Sequence, residues 1–181
     1  MDKASLRVRM RSHGPLASGV SKQIGDGLFV WLSRRLPGTI SAFLPMEGEV
    51  DLEPLMRRLP GWRWVLPRVE PDRSVTFRDA ALPRETHRFG MEQPVESGPI
   101  IPVHEIDVFL VPGLAFDRGG RRLGNGAGHY DGILSRSRPD AESIGMAPAS
   151  RIVEEVPTDP HDVRVGRLAT EDGVVSCPPN G

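Results

Sequence analysis

In residues 3–12, Leu6 and Met10 stand four apart among polar and basic neighbours, which predicts a short helix with a thin apolar stripe. His13-Gly14-Pro15 breaks it. From residue 16 to 36, Val20, Ile24, Leu28, Trp31, Leu32 and Leu36 recur at spacings that fit one helical face. Gly25 and Gly27 weigh against that helix by about 1 kcal/mol each relative to alanine. Pro37-Gly38 ends it. Residues 39–45 form a short apolar run between turn residues and predict a buried strand. Asp51 can cap a helix running through Leu52, Leu55, Met56 and Leu59. Strands are predicted at 62–67 and 75–77, with the strongest at 106–112. A glycine-dense loop spans 113–128, a helix opens over 130–134, and a strand follows at 143–147. The tail alternates at Val163 and Val165, then reaches Ala169-Thr170 and Val174-Val175. Strands alternating with helices predict an α/β fold. Its mostly parallel sheet is expected to be flanked by helices on both faces, a three-layer, Rossmann-like arrangement. One domain over 1–181 is expected, with a frayed end at 177–181.

Composition narrows the function. The chain has 181 residues, enough to bury a core without staples. Its one cysteine, Cys177, excludes a disulfide framework. A formal charge of −1 lacks the basic excess of a general nucleic-acid binder. No apolar run approaches the roughly 20 residues needed to cross a bilayer, and the N-terminus does not read as a secretory signal. A cytoplasmic monomer that binds neither nucleic acid nor membrane is expected.

The richest chemistry lies between Val111 and Asp131, after the strongest strand and at a helix start. In parallel α/β sheets, ligands bind outside the carboxyl ends of the strands. Gly124, Gly126 and Gly128 alternate, and glycines at that density let amide groups approach an anion closely. The positive end of the next helix favours phosphate there. Arg118, Arg121 and Arg122 would add charge, and Asp131 would hold a metal on the phosphates. Residue types and position alone leave a phosphate site and a flexible surface turn both open. Known nucleotide motifs fail: there is no G-x-x-x-x-G-K-[ST], and a G-x-G-x-x-G from Gly124 would need glycine where His129 stands. The histidines show no metal-ligand spacing, and there is no G-x-S-x-G elbow.

The run Phe116-Asp117-x-x-Gly120-x-Arg122-Leu123-Gly124-x-Gly126-x-Gly128-x-Tyr130-Asp131 closely resembles the signature of the 5-formyltetrahydrofolate cyclo-ligases, also called methenyltetrahydrofolate synthetases. Flanking pieces agree in order: Lys3-Ala-Ser-Leu-Arg7, residues 43–51, Val65-Leu-Pro-Arg68-Val, Phe89-Gly-Met-Glu-Gln-Pro94, Val156-Pro157, His161-Asp162 and Thr170-Glu171. The likeness runs along nearly the whole chain. It implies a ligase that converts 5-formyltetrahydrofolate to 5,10-methenyltetrahydrofolate with ATP and Mg²⁺, releasing ADP and phosphate. The formyl oxygen attacks the γ-phosphate, N10 attacks the activated formyl carbon, and phosphate leaves where hydroxide would not. The protein's task is then alignment and charge stabilisation.

The resemblance also implies roles. Lys3, Arg7, Arg122, Leu123, Gly124, Asn125, Gly126, Ala127, Gly128, His129 and Tyr130 would meet ATP. Met46, Glu49 and His129 would meet the folate, Arg122 and Tyr130 would serve catalysis, and Asp131 would ligate Mg²⁺. Without the family, each residue has a plainer reading. Lys3 and Arg7 are one turn of a solvated helix, Asp131 a helix cap, Glu49 a strand-end carboxylate, Met46 loop filler and Tyr130 a packed aromatic. Asp162 either forms a turn or orients the metal shell.

Some positions depart from the family pattern. His129 stands where a tyrosine is usual, Gly132 where an arginine often follows the aspartate, and Arg151 where a glutamine is common. Pro148, Gly166, Asn125 and Ala127 also differ. These departures keep two other readings in view: a folate-binding relative without turnover, and another ATP-dependent ligase or kinase on the same scaffold.

Overall fold

The computed structural model describes residues 2–87 and 90–178. Phe89 of the 89–94 motif and the terminal residues 179–181 lie outside the described residues. In chain order the elements are α1 (Lys3–Arg11), α2 (Val20–Leu32), β1 (Thr39–Ser41), α3 (Glu53–Arg58), β2 (Arg63–Val69), β3 (Val75–Asp79), β4 (Arg84–Thr86), β5 (Glu92–Pro94), β6 (Val108–Pro112), β7 (Ala115–Asp117), β8 (Arg122–Leu123), α4 (His129–Leu134), β9 (Glu142–Met146), β10 (Ile152–Val153), β11 (Arg167–Thr170) and β12 (Gly173–Ser176).

Seven strands form the main sheet in the order β12-β11-β9-β6-β1-β2-β3. The neighbours from β11 to β2 pair in parallel, and the edge strands β12 and β3 pair antiparallel. The core follows from strand periodicity. In β6, Val108 and Leu110 enter one hydrophobic cluster, while Phe109 and Val111 enter the other. Burial on both faces is why this segment reads as an unbroken apolar run.

On one face, Ile24, Leu28 and Leu32 of α2 and Leu55 of α3 pack over Ile40, Leu66, Leu110 and Ile144. Each such side chain contributes about 1.5–3 kcal/mol on burial. Asp51 Oδ1 accepts from the Glu53 amide at 3.0 Å just before α3, but the N-cap position is Leu52 and has no side-chain cap, so the expected Asp51 cap lies one residue too early. Leu36 departs from the expected helical face: α2 ends at Leu32 and Leu36 is 91% exposed.

The other face differs from the expected helical layer. It is covered by Ile133 and Leu134 of the six-residue α4, together with Phe116 from β7. The loop expected over 113–128 contains β7 and β8, which with β10 form a three-stranded sheet. Leu6 and Met10 of α1 rest on that small sheet against Ala115, Leu123 and Val156. The β4–β5 hairpin and β10 were not foreseen. Among the described residues, no helix is long and apolar enough to cross a membrane.

Candidate active site

The parallel strands β1, β6 and β9 all deliver their following loops to the same edge of the sheet. The segment after β1 carries Met46 and Glu49. The segment after β6 runs through β7 and β8 into the glycine loop and α4. These segments, the ends of β2 and β3, and the β4–β5 hairpin enclose a cavity of about 430 Å³. Met46, Glu49, Arg122, Gly124, Asn125, Gly126, Ala127, Gly128, His129 and Tyr130 all line it.

On the glycine-loop side, Arg122 is the organising cation. Its side chain is only 7% exposed, and its Nη2 donates to Asp131 Oδ2 at 2.8 Å. The guanidinium carbon lies 5.7 Å from the Tyr130 ring centroid, within cation–π range. Gly124 leaves room for this approach: a β-carbon there would crowd Arg122 Nη1, so the guanidinium would have to shift. The second oxygen of Asp131, Oδ1, accepts from the Val163 amide at 3.2 Å. Asp131 therefore sits beside the 159–163 turn and does not cap α4, whose N-cap is Gly128. That helix has six residues, so its end adds little beyond the amides of one turn.

The Tyr130 hydroxyl is buried and has no hydrogen-bond partner among the described residues. Burial, helped by the negative charge of Glu49, pushes its pKa well up, so it remains a protonated donor near neutrality. Leaving such a group unpaired costs about 1–3 kcal/mol. Burial also lowers the pKa of His129, which favours neutral imidazole.

On the opposite wall, Glu49 Oε2 accepts from the Met46 amide at 3.0 Å, and the Glu49 amide donates to the Met46 carbonyl at 2.9 Å. The resulting tight turn holds both side chains at the cavity. Burial raises the Glu49 pKa; the Met46 amide and the nearby Arg151 charge oppose that rise.

Four of the expected site residues stand apart from the cavity lining: Asp131, which lies behind it on Arg122, and Lys3, Arg7 and Leu123. Lys3 forms an ion pair with Asp159 at 2.6 Å and with Asp162 at 2.5 Å. Arg7 Nε donates to the Gly124 carbonyl at 3.0 Å, so it braces the glycine loop from α1. The Leu123 side chain points into the small-sheet core, and its carbonyl accepts from Leu114. Any ligand contact from Leu123 is confined to its backbone. Asp159, His161 and Asp162 bring ligand atoms within 4.8 Å of one another, at the turn that Lys3 clasps.

The model of the 5-formyltetrahydrofolate cyclo-ligase family matches residues 30–171 of this chain. The chain belongs to that family. Among its relatives, a 5-formyltetrahydrofolate cyclo-ligase of Mycolicibacterium smegmatis is 31% identical, with 96% of each chain covered. The Escherichia coli cyclo-ligase is 29% identical over 75% of this chain and 79% of its own. A 5,10-methenyltetrahydrofolate synthetase of Aquifex aeolicus, solved by NMR, superposes with a TM-score of 0.84 at 29% identity, covering 100% of this chain and 95% of that one. This cyclo-ligase family member is thus an enzyme of the ligase class, with a mixed α/β fold on a large, mostly parallel sheet.

The cavity also uses residues to which the sequence assigned no site role. Phe43, Val69, Val75, Met91 and Ile133 supply apolar wall. Gln93 contributes from β5, where its Oε1 also accepts from the Val69 amide at 3.2 Å. Arg68 anchors that hairpin by donating to the Pro94 carbonyl at 2.7 Å and pairing with Glu85 at 2.5 Å. The Val65-Leu-Pro-Arg68-Val segment reads as a strand from sequence, but the exposed β4 of the hairpin it holds has no apolar period to reveal it.

Proposed function

We propose that this chain catalyses the ATP-dependent closure of 5-formyltetrahydrofolate to 5,10-methenyltetrahydrofolate, with release of ADP and phosphate. The observation that carries the reading is the single cavity in which the glycine loop faces the Met46–Glu49 turn. One wall offers backbone amides and a guanidinium suited to phosphates. The other offers apolar surface and one carboxylate suited to a flat, polar heterocycle.

On this reading the amides of Gly124–Gly128 and the Arg122 guanidinium receive the phosphates. Arg7 holds the loop in place through the Gly124 carbonyl, and Lys3, paired with Asp159 and Asp162, would reach the phosphates only on leaving those carboxylates. Glu49 accepts a hydrogen bond from the folate, while Met46 and His129 pack against it. Tyr130 donates its hydroxyl proton in a hydrogen bond to ligand oxygen and does not give that proton up. Phosphoryl transfer asks little more of the protein than alignment and fixed positive charge.

The donor set is compatible with Mg²⁺ at Asp131. A carboxylate has about four lone-pair sites, and Arg122 and Val163 engage one on each oxygen. Mg²⁺ takes one or two carboxylates together with phosphates and water. When bound, it would neutralise phosphate charge, with Asp162 orienting the surrounding shell. The chain is read as one catalytic domain over 1–181, acting as a cytoplasmic monomer.

The test is stoichiometry. ADP should appear only when 5-formyltetrahydrofolate is present, in a one-to-one ratio with the methenyl product. ADP released at the same rate without the folate would overturn the proposal.

A further inference from the structure

Arg151 is 5% exposed and lies in the short turn after β9, outside the signature loop. Its Nη1 donates to the Gly48 carbonyl at 2.7 Å, and its Nη2 to the Gly14 carbonyl at 3.1 Å. One guanidinium therefore ties three segments together: the connection after α1, the turn after β1 and the turn after β9. The fit is close. A β-carbon on Gly48 would stand 2.6 Å from Arg151 Nη2, and Gly48 adopts φ +80, a left-handed backbone that favours glycine. Gly48 lies immediately before Glu49, inside the turn that presents Glu49 to the cavity.

We propose that Arg151 is the positioning residue for Glu49: its guanidinium fixes the Met46–Glu49 turn and supplies the counter-charge for that carboxylate. The inference rests on the reading that Glu49 meets the folate. Arg151 does not touch the cavity itself. Its two terminal nitrogens are engaged by carbonyls and Glu49 Oε2 by the Met46 amide, so the charge acts through space in a poorly solvated setting. Burial works against the charge of Arg151, and the negative charge of Glu49 supports it. The same mutual support opposes the desolvation of Glu49. The other titratable groups that line the cavity with this carboxylate are Glu92 on β5, Arg122 on β8, and His129 and Tyr130 on α4, and Glu47 stands two positions before it in the same turn. Arg122 is already paired with Asp131, which leaves Arg151 as the cation coupled to Glu49.

The test uses Arg151→Gln and Arg151→Lys in the full chain. Glutamine can keep one carbonyl contact but removes the charge, whereas lysine keeps the charge and loses the fork. Arg151→Gln should raise KM for 5-formyltetrahydrofolate about tenfold, the loss of one charge-assisted contact, and leave KM for ATP near wild type. It should also move the acid limb of kcat/KM for the folate upward by about half a pH unit or more, because removing a nearby cation raises a carboxyl pKa. Arg151→Lys should restore the limb to its wild-type position while KM stays raised. Wild-type KM and limb in Arg151→Gln would overturn the inference. So would an equal loss in both variants at every pH, accompanied by a lowered Tm, which is the signature of a purely structural residue.

NMR titration of the Glu49 side-chain carboxyl separates this inference from the proposed reaction. An upward shift in Arg151→Gln is expected whether or not the wild type turns over, and an unmoved titration would refute the coupling. Absence of product from the wild type would refute the reaction alone.

Discussion

The two ends of the central sheet treat charge differently. At the amino ends of the parallel strands, carboxylates are closed off by partners. Asp107 Oδ2 accepts from the Thr39 amide at 2.7 Å, and Oδ1 pairs with Arg138 at 2.7 Å. Glu142 pairs with Arg35 at 3.3 Å and also with Arg167. These contacts knit β1, β6, β9 and β11 at their starts. At the carboxyl ends the same strands lead to a cavity where the Tyr130 hydroxyl has no partner among the described residues and burial raises the Glu49 pKa. One end is built to hold strands together. The other keeps polar groups in costly surroundings, as expected where function competes with stability.

Three substitutions probe that contrast, in order of expected effect. Arg122→Ala removes the cation of the glycine loop and leaves Asp131 without its ion-pair partner. It should lower kcat/KM for ATP by about 10²–10³-fold, measured by steady-state kinetics. An unchanged ATP dependence would place the phosphates elsewhere. Tyr130→Phe should lower kcat/KM by about 10- to 100-fold, the loss of a hydrogen bond to a charged ligand. Its Tm should stay level or rise, because the hydroxyl it removes is unpaired in the folded chain. A clear fall in Tm would mean that the hydroxyl serves the fold.

Asp107→Asn probes the closed end and should do the reverse. It should lower stability by about 1 kcal/mol, given that the pair is partly exposed, and leave kcat near wild type. Burial works against the charge of Asp107, but the Thr39 amide and Arg138 outweigh it and hold the carboxyl below its ordinary value. A depressed carboxyl contributes stability above its unfolded pKa and loses it as pH falls through the folded one. Chemical denaturation across acidic pH should therefore show a shallower loss of stability in the variant than in the wild type.

What could be read from the sequence follows the same division. Elements with buried faces announced themselves: Leu6 and Met10 marked α1 through a helical period, and the unbroken apolar run from Val108 to Val111 marked β6, buried on both faces. The β4–β5 hairpin did not, since Arg84, Glu85 and Thr86 are all exposed and leave no alternation to detect. Strands β7 and β8 were hidden because three residues and two residues inside a glycine-rich run look like loop. For the site, the signature gave the glycine loop, Arg122 and Tyr130 together, and the cavity unites them with Met46 and Glu49. It did not reveal that Arg7 acts on a backbone carbonyl, that Leu123 is core, or that Arg151 reaches Gly48 across 103 positions of chain. Such contacts depend on how loops from separate strands meet, which no local pattern encodes.

The most direct test of the open end as a site for both ligands is the absorbance of methenyltetrahydrofolate. It requires purified protein, 5-formyltetrahydrofolate and Mg²⁺, with and without ATP. The account predicts product in the complete mixture and none when ATP is omitted. No product in the complete mixture, from protein that calorimetry shows to bind the folate, would contradict the proposed reaction and leave a binding protein in its place.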